Sequence, residues 1–144
     1  MKNYDLSKYL LQKDDLIIFP LTKEEVSLLK EDVDGFSKYI RISYLAKQHS
    51  EDFLEKIINN MDMEDDYWFL NSLWLCTDIK ARAIIGTLNL EKADQFNIIT
   101  MQVSDEHCKS VNKEDVKKLF YRFLAGNDFI NIVIKDLDEA KNED

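Results

Sequence analysis

The chain has 144 residues, 45% of them hydrophobic, and a net charge of −9 with a sequence pI of about 4.7. This length favours one domain that buries its core without disulfides or metals. The acidic balance argues against nucleic-acid binding, which needs lysine and arginine to neutralise phosphates, and against an anionic membrane surface. It permits a basic protein partner or a cationic small molecule; partner identity and oligomeric state stay open.

Cys76 and Cys108 form no CxxC pair, and with only two histidines no zinc site is spelled out, so no metal is expected. Residues 1–11 mix Lys, Asp and Tyr with apolar residues, which does not suit a signal peptide. No stretch is long and apolar enough for a membrane span. These features read as a protein of the reducing cytoplasm with two neutral thiols.

Leu6, Tyr9 and Leu10 predict a short leading helix over 4–11. Residues 15–21 predict a strand closed by Pro20, the one proline in the chain. Thr22 and Glu25 fit a capping box, Val26, Leu29 and Val33 share a helical face, and Gly35 is the expected stop. Phe36, Tyr39, Ile40 and Tyr44 continue at helical spacing. Ser50 is a candidate N-cap, followed by a stripe of Phe53, Leu54, Ile57, Ile58 and Met61. The acidic run 62–66 is a solvated connection that lacks the glycine and spacing of a calcium loop.

Residues 67–76 predict a strand apolar on both faces, so covered on both. A hairpin turn follows at 77–80, then a returning strand over 82–90. Gly86 in its middle implies a bulge or a close backbone approach. Residues 91–95 are a polar turn and 96–103 the next strand. Its apolar parity switches between Ile98 and Ile99, which means either a bulge or burial on both faces. Residues 104–111 are a polar loop. Asn112 opens the strongest helix, with Val116, Leu119, Phe120, Phe123 and Leu124 on one face and Gly126 closing it. Residues 129–134 form a last strand, and 135–144 an acidic tail.

No residue set presents itself as catalytic. Glu106, His107 and Cys108 stand together, but a loop of Ser, Asp, Glu and Lys points to solvent rather than to the desolvated pocket a general base needs. His49 reads as a surface residue, and Trp68 and Trp74 as core.

The element order resembles the GNAT superfamily of acyl-CoA-dependent N-acyltransferases. Leu16-Ile17-Ile18-Phe19-Pro20-Leu21-Thr22 is similar to that family's opening strand, and Ile84-Ile85-Gly86-Thr87-Leu88 to its third strand, after a Trp-bearing second strand around Trp74. The parity switch at Ile98–Ile99 falls where the family's fourth strand bulges and splays from the fifth. The resemblance covers about 14–134. It implies an α/β (α+β) domain over 1–134 with a mixed, mostly antiparallel sheet flanked by helices, in the order β-α-α-β-β-β-α-β. Where the resemblance implies a further helix and terminal hairpin, this sequence has only the acidic 135–144.

The resemblance also implies where acyl-CoA would sit: against the backbone of Met101 and Val103, with its pyrophosphate at Lys109, Ser110, Val111, Asn112 and Lys113. Family members place Arg/Gln-x-x-Gly-x-Gly/Ala there, so that backbone N–H groups reach the phosphates closely. Here Lys109 and Val111 stand at the two glycine positions, Asn112 is suited to cap the helix itself, and Glu114 and Asp115 add negative charge to its first turn. Lys109 and Lys113 retain attraction for phosphate. Tyr121 lies near the family's general-acid tyrosine without matching its motif. The resulting expectation is a degenerate, shortened GNAT-like domain without cofactor or acetyltransferase activity, serving as a cytoplasmic binding or interaction module. Its rivals are an acetyl-CoA-dependent N-acetyltransferase with a non-standard loop, and a small acidic inhibitor or immunity-type protein.

Overall fold

Asp14 turns the chain in a left-handed conformation (φ 53°), which a short polar side chain tolerates. Strand β1 (Leu11–Lys13) thereby folds back antiparallel on β2 (Leu16–Pro20), with Lys13 opposite Leu16. The computed structural model describes residues 9–137. Residues 4–8 of the expected leading helix lie outside that range, and Leu11 belongs to a strand instead.

The capping box forms as expected. Thr22 Oγ1 accepts from the Glu25 N–H (3.3 Å) and Glu25 Oε1 accepts from the Thr22 N–H (2.8 Å), starting α1 (Lys23–Glu31). Gly35 does not end this helix. Asp32 ends it and caps the next, α2 (Val33–Ile40), by accepting from the Gly35 N–H at 3.0 Å. A two-residue strand, β3 (Ser43–Tyr44), runs parallel to Ala83 and Ile84. Ser50 caps α3 (Glu51–Asn60), accepting from the Phe53 N–H at 3.2 Å.

Residues 67–76 are not one strand. Asp65 accepts from the Tyr67 N–H (2.9 Å), and its carbonyl accepts from the Trp68 N–H (3.1 Å). These local bonds start a 3-10 turn, Trp68–Asn71, which buries Trp68 and Phe69. Strand β4 begins only at Trp74 (Trp74–Asp78). It is followed by β5 (Ala83–Ala93) and β6 (Phe96–Val103).

With the last strand, β7, at Ile132–Asp136, the sheet order is β1-β2-β4-β5-β6-β7, with β3 beside β5. The pairs are antiparallel except β3–β5 and β6–β7, which are parallel. Of the two readings of the parity switch in β6, the bulge does not occur. The register of β6 with β5 is continuous from Ala93↔Phe96 to Gly86↔Val103, and from Ile99 onward apolar and polar residues alternate simply. The irregularity is in β5: Cys76 faces Gly86, but Thr77 faces Ile84, so Ile85 is the extra residue. Gly86 also has the close approach its position implied. A Cβ there would press on Val103 Cγ2 and lie 2.5 Å from the Gln102 carbonyl oxygen.

Helix α4 (Lys113–Gly126) includes Gly126 and ends at Asn127. The last strand, β7 (Ile132–Asp136), starts later than expected because Asp128 (φ 67°) and Asn131 (φ 53°) turn the backbone first. It runs through Lys135 and Asp136, which the sequence assigned to the tail. Helix α4 lies on the sheet face that carries Trp74, whose ring centroid is 5.1 Å from that of Phe120. The opposite face is covered by α1–α3, and the core lies between these layers. No helix among the described residues is long and apolar enough to cross a membrane.

Candidate functional site

The junction from β6 to α4 is closed by the chain's own groups. After Val103 the backbone makes a 3-10 turn, Asp105–His107, in which the His107 N–H donates to the Ser104 carbonyl and the Cys108 N–H to the Asp105 carbonyl (both 3.1 Å). The Ser110 N–H donates to Asp78 Oδ2 at 2.9 Å, while Asp78 Oδ1 accepts from the Ala81 N–H at 3.1 Å. Asp78 is fully buried. A carboxylate from β4 therefore occupies an N–H of the loop that the resemblance assigned to pyrophosphate. Asn112 caps α4 by accepting from the Asp115 N–H at 2.9 Å. The Asp115 carboxylate binds Lys13 Nζ at 2.8 Å, which holds its carboxyl below the usual range.

The residues assigned to acyl-CoA divide accordingly. Met101 and Val103 are fully buried, and Met101 is in register with Leu88 on one side and Asp136 on the other. Strands β6 and β7 stay paired from Asn97↔Ile132 to Met101↔Asp136, so the implied splay does not occur over those residues. Lys113 Nζ lies 3.0 Å from Asp136 Oδ2, and Lys117 Nζ 3.6 Å from the same oxygen. Lys109 and Ser110 are exposed, Val111 packs partly against the core, and Asn112 is committed to its cap. Glu106 and His107 make only an exposed contact at 3.4 Å, and Cys108 donates to the Ser104 carbonyl at 3.5 Å. Tyr121 is on the exposed side of α4. Burial pushes the Cys76 thiol well up, so it stays protonated.

A cavity edged by polar side chains lies on the opposite sheet face. The pairs Thr87↔Gln102 and Asn89↔Thr100 put four polar side chains on one face, while Leu88↔Met101 points to the other. Over them sits His49, its Nε2 at 2.7 Å from Thr87 Oγ1 and its ring stacked on Phe53 with centroids 4.5 Å apart. The cavity measures about 340 Å³ and is lined by these strand residues together with Gln48, His49 and Ser50. Burial first, and then the nearby Lys47 charge, lower the His49 pKa to about 4. Its imidazole is thus neutral at pH 7, and the cavity presents hydrogen-bonding groups around an uncharged ring. Such a set suits a small polar ligand; a base this weak takes up protons poorly.

His49 is therefore not the surface residue the sequence indicated. The missed signal was alternation: Thr87 and Asn89 share one parity in β5, and Thr100 and Gln102 share one in β6. Trp68 and Trp74 are core as expected. The acidic run is an exposed turn, and no group of three or more potential metal ligands occurs among the described residues.

The described residues form a mixed, mostly antiparallel sheet flanked by helices α1–α4, with α4 crossing to a parallel last strand. No family model and no curated protein matches the sequence. Among solved structures, the acetyltransferase (GNAT family) from Bacillus anthracis is similar over 87% of this chain and 72% of its own, at 11% identity and a TM-score of 0.49. A possible acetyltransferase from Clostridium difficile 630 is similar over 84% of this chain and 77% of its own, at 12% identity and a TM-score of 0.35. No residue role passes to this chain at such identities.

Proposed function

We propose that this chain is a cytoplasmic GNAT-like binding module that does not take acyl-CoA at residues 104–112 and instead holds a small polar ligand in the cavity beneath His49. The observation that carries this reading is the 2.9 Å hydrogen bond from the Ser110 N–H to buried Asp78. An N–H given to an internal carboxylate is withdrawn from a phosphate, and a carboxylate in that place repels one. The continuous β6–β7 pairing and the engagement of Lys113 with Asp136 support the same reading.

Thermal unfolding with and without acetyl-CoA tests it. A ligand at 100-fold over its Kd would add about 2.7 kcal/mol, or roughly 5–10 °C in melting temperature at this size. No shift is expected, and a shift of that size would overturn the proposal. The second reading, an acetyl-CoA-dependent N-acetyltransferase, has this cavity in its favour, because its neutral His49 and the polar side chains around it can hydrogen-bond an amine. Release of free CoA thiol from acetyl-CoA in the presence of a panel of amines would establish it; none is expected.

A further inference from the structure

The face that carries Ile17, Phe19 and Thr77 has a second opening, a trough of about 480 Å³ bordered by β2, β4, the end of α2 and the β4–β5 turn. Its walls are Leu10, Ile17, Phe19, Ile40, Ile42 and Ile79. Single exposed aliphatic residues are ordinary, but six lining one concavity make a place for an apolar ligand.

Three observations give this trough a polar end. Arg41 and Arg82 line it, two of only three arginines in the chain. Among the described residues neither guanidinium has an ion-pair partner, although the chain carries 28 Asp and Glu. Both arginines also occupy left-handed backbone (φ 62° and 53°), where glycine or asparagine would cost less, so the backbone gains nothing from arginine there. The third observation is Thr77, 2% exposed among these apolar groups, whose Oγ1 has no hydrogen-bond partner among the described residues. A buried hydroxyl in that state is destabilising until a partner arrives.

We infer that this trough binds an aliphatic carboxylate of the fatty-acid class, with its chain along the isoleucine wall and its carboxylate on Arg41 and Arg82. Guanidinium groups match carboxylates in charge and in planar geometry, and the apolar wall accounts for the tail. Thr77 supplies a hydroxyl donor on the floor. The inference is independent of the 104–112 loop and of the His49 cavity.

The test is an NMR titration of the labelled full chain with decanoate, below its micelle-forming concentration, beside decanol and decyltrimethylammonium. Decanoate should saturate and move the amides of Phe19, Thr77, Ile79 and Arg82. Decanol should bind about tenfold more weakly, as expected for the loss of a charge-assisted contact, and the ammonium should not bind. The double variant Arg41→Asn/Arg82→Asn keeps the left-handed preference and removes two exposed side chains, so it should fold and reduce decanoate to the decanol level. Equal binding of decanoate and decanol, shifts centred on His49 or spread over the surface, an unaffected double variant, or no binding at all would each overturn the inference.

Discussion

The two faces of strands β5 and β6 treat their polar neighbours in opposite ways. On the α4 face, three carboxylates are answered from within: Asp78 by the Ser110 and Ala81 N–H groups, Asp136 by Lys113 and Lys117, and Asp115 by Lys13 and the Asn112 cap. On the α3 face, Thr87, Asn89, Thr100 and Gln102 border a cavity, with the contact from His49 to Thr87 as its closest polar approach. The first arrangement stabilises the fold and leaves an external anion fewer donors. The second leaves hydrogen-bonding capacity for a molecule from outside. A single pair of strands thus separates a junction that has turned inward from one that faces solvent.

The largest expected effect comes from the backbone contact on which both faces depend. At Gly86 any Cβ meets Val103 and the Gln102 carbonyl, so Gly86→Val must push β5 from β6. A loss of about 3–4 kcal/mol in urea unfolding is expected, the range for overpacking a closed core combined with broken strand pairing. A loss below about 1 kcal/mol would mean that the two strands are not held this tightly.

Asp78→Ala breaks the comparison from the α4 side. It strands the N–H groups of Ser110 and Ala81, and about 2–3 kcal/mol should be lost. Asp78→Asn keeps one acceptor and should recover part of it. The same variants sharpen the functional reading. If Asp78→Ala gains a thermal shift with acetyl-CoA, the internal carboxylate is what excludes the phosphate. If it gains none, removing that carboxylate is not enough to admit acetyl-CoA.

On the α3 face the test is pH. His49 has its folded-state pKa depressed from 6.5 to about 4, so the unfolded chain takes up the proton first. The stability that the neutral ring contributes is complete above pH 6.5 and is lost as pH falls toward 4. Between pH 7 and pH 5 the loss should be about 2 kcal/mol. His49→Gln cannot titrate, so the difference between wild type and variant across that interval isolates the term from the carboxylates. A difference that does not change with pH would place His49 in solvent, as the sequence alone indicated.

Most of the architecture was legible because local chemistry decided it. Thr22 with Glu25, Ser50 and Asn112 each carry their own cap, and residues 96–103 form the strand their pattern indicated. The errors arose where a competing local bond or a distant partner intervened. Asp65 diverted 67–71 into a 3-10 turn, and Asp32 took the helix boundary from Gly35. Of the two places where the sequence allowed a bulge, the one beside Gly86 has it and the parity switch at Ile98–Ile99 does not, because the polarity of Asn97, Thr100 and Gln102 could not show which face would be covered. In the site, the lack of glycine between residues 91 and 124 could be read directly. The role of Asp78 could not, because its bond to Ser110 spans 32 residues. His49 was missed for the same reason: its burial depends on Thr87, 38 residues away.

The smallest effect concerns whether the α4 junction is closed by capping as well as by charge. Asn112 accepts from the Asp115 N–H and donates from its own amide to Asp115 Oδ2 at 3.2 Å. Asn112→Ala removes both and should cost about 1 kcal/mol, the usual value of a lost N-cap. Asn112→Asp keeps the acceptor but sets a second carboxylate against Asp115, so it should retain only part of that stability, and retain more at high salt, where repulsion between exposed charges is screened. Glu106→Gln and His107→Ala remove side chains with no role in this closure, and each should stay within about 0.5 kcal/mol. If Asn112→Ala were equally silent, the loop would be held by Asp78 alone, and the inward turn of this face would rest on one buried carboxylate.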